Sequence, residues 1–169
     1  MLSALSISDI VLIDHLDLDL RNGLCVLTGE TGAGKSILLD SLALALGGRG
    51  DGSLVRKGAQ EGTVIAVFEP SEDHPVHGLL EDNGISTDDG LILRRVQKAD
   101  GKTRAFINDS PVSATLMRQV GGHLVEIHGQ HDDRAMLDAA THRSLLDAHG
   151  GLEQEALMVS RAWHAWQDS

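Results

Sequence analysis

Residues 29–36 read GETGAGKS: two glycines separated by four residues, then Lys-Ser. This is the P-loop pattern G-x-x-x-x-G-K-[ST]. Such a loop works because successive backbone N–H groups at the start of a helix point into a concavity and bind phosphate oxygens. Gly29, Glu30, Thr31, Gly32, Ala33 and Gly34 form the loop, with Gly32 and Gly34 permitting the close backbone approach. Lys35 is placed to reach the β- and γ-phosphates of a triphosphate, and Ser36 to ligate Mg²⁺.

The flanks supply the context that a P-loop needs. LCVLT (24–28) is a continuous apolar run, which predicts a strand covered on both faces. KSILLDSLALAL predicts a helix from Lys35 to Leu46, stopped by Gly47-Gly48. Upstream, DHLDLDLR (14–21) alternates Leu16, Leu18 and Leu20 with Asp17 and Asp19, a half-buried strand. ALSISDIVLI holds another strand before it, and Asn22-Gly23 marks a turn.

Downstream, TVIAVFEP (63–70) reads as a strand ended by Pro70, and VHGLLEDNG as a short helix ended by Gly84. LILRRVQ and TRAFIN read as a β-hairpin with Asp100-Gly101 in its turn. PVSATLMRQV (111–120) predicts a helix with Ser110 as N-cap and Pro111 in its first position. HLVEIHGQHDD (123–133) is a short apolar run leading into a polar loop. A further helix around 141–149 is stopped by Gly150-Gly151. Beyond it Leu152, Ala156, Val159, Trp163 and Trp166 follow a 4-3-4-3 spacing, the seam of a heptad coiled coil. Residues 1–150 are therefore expected to form one globular unit, and 151–169 the start of a coiled-coil helix. The seam stops in mid-pattern at Ser169, as expected where a longer helix has been cut; an amphipathic helix packed on its own domain is the alternative.

Composition narrows the function. The chain has 169 residues, one domain's worth, with 41% apolar and only 2% aromatic residues, so Leu, Ile, Val and Ala must fill the core. The single cysteine, Cys25, excludes a disulfide framework and favours a reducing compartment. The N-terminus has no basic region ahead of an apolar core, and no apolar run reaches membrane-spanning length. A cytoplasmic protein is expected. The net charge of −11 rules out a uniformly basic nucleic-acid binder. One stretch departs from it: RRVQKADGKTR (94–104) holds five basic residues and one acid.

Hydrolysis needs more than a P-loop: an acidic residue at the end of an apolar strand for Mg²⁺, and a group that orients water. No apolar run of four or more ends in Asp-Glu, so the chain carries half of an active site. The two-strand opening, TGETGAGKSILLDSLALALGGR, and FINDSPVSATLMRQVGGHLVEIHGQHD together resemble the N-terminal head segment of the SMC-like ABC ATPases of bacterial double-strand-break repair.

That resemblance covers nearly the whole chain. It implies an α/β P-loop NTPase fold of ABC/SMC-head type: an N-terminal lobe with a mixed sheet and an antiparallel β subdomain, ending at the root of a coiled coil. It implies a split head whose C-terminal segment carries the signature motif, Walker B and switch histidine. It also implies a homodimer through ATP-engaged heads, action on DNA and a nucleoid-associated location. By residue, Gln130 in HGQHD matches the Q-loop glutamine, which contacts Mg²⁺ and the γ-phosphate region. A neutral amide suits that role, since its oxygen can ligate the cation while its nitrogen donates. Arg49 and Arg56 fall where SMC-like heads often place an arginine near nucleotide.

Two competing readings carry less. A small P-loop kinase phosphorylating a metabolite would suit the length, but such kinases usually begin with the P-loop strand and carry an arginine-rich lid. His123, His128 and His131 cluster near Asp132 and Asp133, but structural zinc usually wants cysteines or tightly spaced His pairs.

Overall fold

The computed structural model of the chain describes residues 1–28, 33–86, 90–127, 146–147 and 149–167. It separates into two compact units, Met1–Ile127 and His128–Ser169.

The first unit is built on a six-stranded antiparallel sheet of order β2-β1-β3-β4-β5-β6. Its strands are β1 (Leu2–Ile10), β2 (Ile13–Asp19), β3 (Glu61–Phe68), β4 (Leu91–Lys98), β5 (Thr103–Ile107) and β6 (Ser110–Val112). Among the described residues it is accompanied by the α-helices α1 (Ala33–Ala45), α2 (Val76–Glu81) and α3 (Ala114–Leu124). Alternation decides which face is covered. Leu5 and Ile7 of β1, Val64, Ala66 and Phe68 of β3, and Leu91 and Leu93 of β4 are all buried. They pack with Ile37, Leu44 and Ala45 of α1, Val76 and Leu80 of α2, and Met117 and Val120 of α3 in one apolar core. Removing a buried aromatic such as Phe68 would cost about 3–5 kcal/mol.

The expected half-buried strand is present in β2, where Leu16 and Leu18 pack against the core while Asp14, Asp17 and Asp19 are exposed. Those acids lie on an edge strand, where charge discourages pairing with another chain. The hairpin of β4 and β5 also forms as expected. Lys98 N–H donates to the Lys102 carbonyl, Asp100 accepts from Lys102 N–H, and Gly101 takes φ +87°.

Two expectations are corrected. The run Leu24–Thr28 is not a strand buried on both faces: it has no regular structure, and Leu24 is 94% exposed and Val26 68%. A covered parallel strand needs a neighbour on each side, and among the described residues none is offered to it. Ser110 and Pro111 do not begin a helix. They form edge strand β6, with Pro111 opposite Phe106, and α3 starts after Ser113, whose side chain accepts from Leu116 N–H. The reason lies at Asn108 and Asp109, both at positive φ, which make the two-residue turn of a tight hairpin. Asn108 also ties that turn down, accepting from Ile92 N–H and donating to the Ser86 and Gly90 carbonyls. Pro is tolerated because an edge strand leaves one N–H side unpaired.

Glycine is required where α1 meets α3. Gly47 ends α1 at φ +90°, and a Cβ there would lie 2.5 Å from the Arg118 backbone nitrogen. A Cβ at Gly121 would lie 2.6 Å from the Leu46 carbonyl oxygen. The two backbones thus approach within a distance that no side chain permits, which fixes the far end of the P-loop helix.

In the second unit the described residues are dominated by α4 (Glu153–Gln167). Its stripe of Val159, Trp163 and Trp166 is exposed, and the two indole rings lie 5.1 Å apart.

Candidate functional site

The candidate site is the mouth of α1. Gly34, Lys35 and Ser36 lie on its first turn, where the N–H groups have no intrahelical acceptor and the helix dipole favours an anion. The helix is anchored beneath by Ile37 and Leu44, both buried, and by Ser41, whose hydroxyl donates to the Ile37 carbonyl at 2.6 Å. Ser36 is exposed and Lys35 half-buried. Among the described residues, a Cβ added at Gly34 would meet no atom within 4 Å beyond its chain neighbours and the helix's own backbone. The described packing therefore does not demand glycine there, whereas a phosphate drawn against the backbone would. The residues present fit a nucleotide phosphate with its magnesium. Gly29, Glu30, Thr31, Gly32 and Gln130 lie outside the described residues, and of Ala33 only the backbone is described.

Arg49 and Arg56 diverge. Arg49 is exposed in the segment after α1. Arg56 is committed elsewhere: its Nε donates to Asp9 at 2.7 Å and its terminal nitrogen to Asp14 at 2.6 Å. The bond to Asp9 is the main reason that its pKa is raised. The clamp grips the β1–β2 turn, where Asp9 and Val11 both adopt positive φ, a costly conformation for a β-branched residue. Backbone bonds from Val11 to Leu54 and from Arg56 to Asp9 complete it. No local sequence signal tied Arg56 to two aspartates more than forty positions upstream.

The basic hairpin splits between two faces. Arg94 lies 4.1 Å from the centre of the Phe106 ring and 3.2 Å from Asp109. Arg104 faces Glu61 at 3.5 Å, and Lys102 pairs with Asp100 at 3.2 Å beside the turn. Arg95 turns to the helix side and is buried. Among the described residues no cluster of His, Cys, Asp and Glu could hold a metal ion, and no helix is long and apolar enough to cross a membrane. His123 is exposed at the end of α3; His128, His131, Asp132 and Asp133 lie outside the described residues.

A family model described as an AAA domain matches residues 4–136, and the chain belongs to that family. Its fold is that of SMC heads. A structure reported under "Structural biochemistry of ATP-driven dimerization and DNA stimulated activation of SMC ATPases" superposes with a TM-score of 0.64 at 18% identity. That superposition covers 86% of this chain and 97% of the other. The Smc head with an extended coiled coil from Pyrococcus furiosus gives 0.70 at 17% identity, over 99% of this chain and 46% of that one.

In sequence the chain is similar to the N-terminal segment of DNA repair protein RecN. It is 37% identical to the Rickettsia conorii protein over 169 residues, 100% of this chain and 31% of the relative. With the Bacillus subtilis protein it is 38% identical over 159 residues, 94% of this chain and 28% of the relative. The chain thus spans less than a third of the length of these curated relatives.

Proposed function

We propose that this chain is the N-terminal part of an SMC-like ATP-binding head that acts in DNA double-strand-break repair and recombination. Residues 1–150 form half of the head, and 151–169 begin its coiled-coil helix. The observation that carries the reading is the pairing of a phosphate-ready helix mouth with an exposed apolar run, Leu24–Thr28, directly before it. The run is built for a strand with neighbours on both sides, and a C-terminal head segment of the same protein would supply them. The six antiparallel strands that surround the loop in sequence favour a head over the small-kinase alternative.

ATP supplies the electrophilic phosphorus, and Mg²⁺ draws charge off the transferring group. The N–H groups of the loop and the α1 mouth would hold phosphate oxygens. Lys35 would place a positive charge over the β- and γ-phosphates, and Ser36 and Gln130 would offer oxygens to the metal. None of these residues is a general base or a Walker B carboxylate, so turnover falls to groups brought by the C-terminal segment and an opposing head. Two heads would sandwich ATP, forming a homodimer whose coiled coils pass engagement and release to DNA.

Gln130→Ala should spare ATP binding and lower kcat of the assembled enzyme by about ten-fold or more, the loss expected of a positioning group. An unchanged kcat in steady-state phosphate release would remove Gln130 from the site.

Contact with duplex DNA is assigned to the tip of the basic hairpin. Arg94 and Arg104 face acids and Arg95 is buried, whereas Lys98 and Lys102 lie beside the turn. Lys102 pairs with Asp100 but keeps an exposed side chain, so these two are the charges best placed for phosphates. Replacing both with Gln should weaken duplex binding by the complete protein and flatten its salt slope by roughly 2, as expected from two lost phosphate contacts. The parent's affinity and slope in the double variant would make the hairpin a solvated edge.

A further inference from the structure

Among the described residues the helices pack on one face of the six-stranded sheet and leave the other open. Strand alternation and register place Ala4, Ile65, Val67, Ile92, Phe106 and Pro111 on that outer face. None of the six belongs to the apolar core or to the side chains packed on it, and Ile92 is 40% exposed. An antiparallel sheet tolerates one wet face when that face is polar. Here the middle strands β3 and β4 present apolar side chains to it, which marks a contact surface.

Charge on this face is divided. Its aspartates, Asp17 and Asp19, lie on β2, beside Ser6 and Ala4 of β1. Its cations, Arg94, Arg104 and, toward the hairpin tip, Lys98, lie on β4 and β5. Arg94 is met by Asp109 at 3.2 Å and Arg104 by Glu61 at 3.5 Å, yet the Arg104 side chain stays 57% exposed. Asp17, 2.8 Å from His15, stays 64% exposed.

A face that is acidic on one side, apolar in the middle and basic on the other is complementary to itself. A twofold axis parallel to the strands, between β3 and β4, lays β3 of one copy over β4 of the other, β1 over β5 and β2 over β6. Ile65 and Val67 then meet Ile92, and the acidic side meets the basic side twice. Duplex DNA would be repelled by Asp17 and Asp19, and a partner of uniform charge would match one side only. Pairing through the sheet edges is discouraged, since β2 carries aspartates and β6 is three residues long with Pro111.

The area fits a weak dimer. Six strands about 4.8 Å apart and roughly 20 Å long give a footprint on the order of 500 Å². Two such faces bury roughly 1,000 Å², the lower end for a specific interface. Because α1 packs on the opposite face, its mouth stays clear of the contact.

We propose that the outer face of the sheet pairs with the same face of a second copy of this chain, forming a weak dimer that needs no nucleotide.

Sedimentation equilibrium of the full chain without nucleotide tests this independently of the ATP reading. A reversible monomer–dimer equilibrium is expected, with Kd on the order of 100 µM, weakening as salt is raised. Ile92→Glu should weaken it by at least ~10-fold, because it places an unpaired charge inside the contact. The same variant should melt near the parent, since Ile92 is already exposed in the single chain. Asp17→Arg and Arg104→Glu should each weaken the dimer several-fold. Together they should recover most of the loss, because the exchanged charges meet across the twofold axis.

A chain that stays monomeric up to about 1 mM overturns the proposal. So does a dimer that Ile92→Glu leaves intact while Trp163→Glu or Val26→Asp abolishes it, which would place the contact on α4 or on Leu24–Thr28. A monomeric chain whose association with the C-terminal segment is lost in Ile92→Glu would give the face to that segment instead. Should Ile92→Glu melt well below the parent, the charge exchange decides: a double variant no tighter than the single ones overturns the twofold pairing.

Discussion

Lys35→Ala will lower the affinity of the complete head for ATP–Mg²⁺ by roughly 100-fold or more, because charge-assisted bonds worth about 1.5–3 kcal/mol each are lost together. The fold should survive. Lys35 lies on the first turn of α1, an alanine is the best helix former, and the anchoring of the helix comes from Ile37, Ser41 and Leu44 beneath it. Calorimetric titration of ATP–Mg²⁺ into parent and variant checks this. Equal affinities would remove the mouth of α1 from nucleotide binding.

Val26→Asp will have the opposite profile. In the chain by itself Val26 is 68% exposed, so an aspartate there should change its stability by no more than about 0.5 kcal/mol. In the assembled head the same position is proposed to lie inside a sheet covered on both faces. An unpaired carboxylate would then be buried, at a cost of several kcal/mol. Association with the C-terminal segment should weaken by about 100-fold or more, read by size-exclusion chromatography or calorimetry of the two pieces. Undiminished association would show that Leu24–Thr28 is not the strand that the C-terminal segment completes.

Much of this was legible in the sequence, for identifiable reasons. The P-loop helix, the β1–β2 hairpin and the β4–β5 hairpin each declare themselves locally, through a glycine stop, strict alternation, or Asp100-Gly101 in a turn. The β5–β6 hairpin was hidden because Ser110-Pro111 imitates a helix start. The signal was nonetheless present in Asn108-Asp109, two residues that tolerate positive φ between apolar neighbours. The run LCVLT reads as a covered strand from its composition, yet it is irregular and exposed here; the proposed account is that its composition answers to a sheet completed by the C-terminal segment.

The burial of Arg95 and Gln97 follows from strand parity, since they continue the face of Leu91 and Leu93. Nothing local says that the Arg95 Nε and the Gln97 Oε1 lack partners among the described residues. The clamp of Arg56 on Asp9 and Asp14 is a tertiary fact of the same kind.

The claim at the centre of this account is that the chain holds half of an ATPase site and that the other half lies in the C-terminal segment of the same protein. Phosphate release measured on the chain alone, and then on the chain mixed with that segment, tests it most directly. The account predicts background release from the chain alone and ATP turnover on mixing, with the turnover abolished by Lys35→Ala. Robust release by the chain alone that disappears with Lys35→Ala would contradict it, since the chain would then complete a catalytic site unaided.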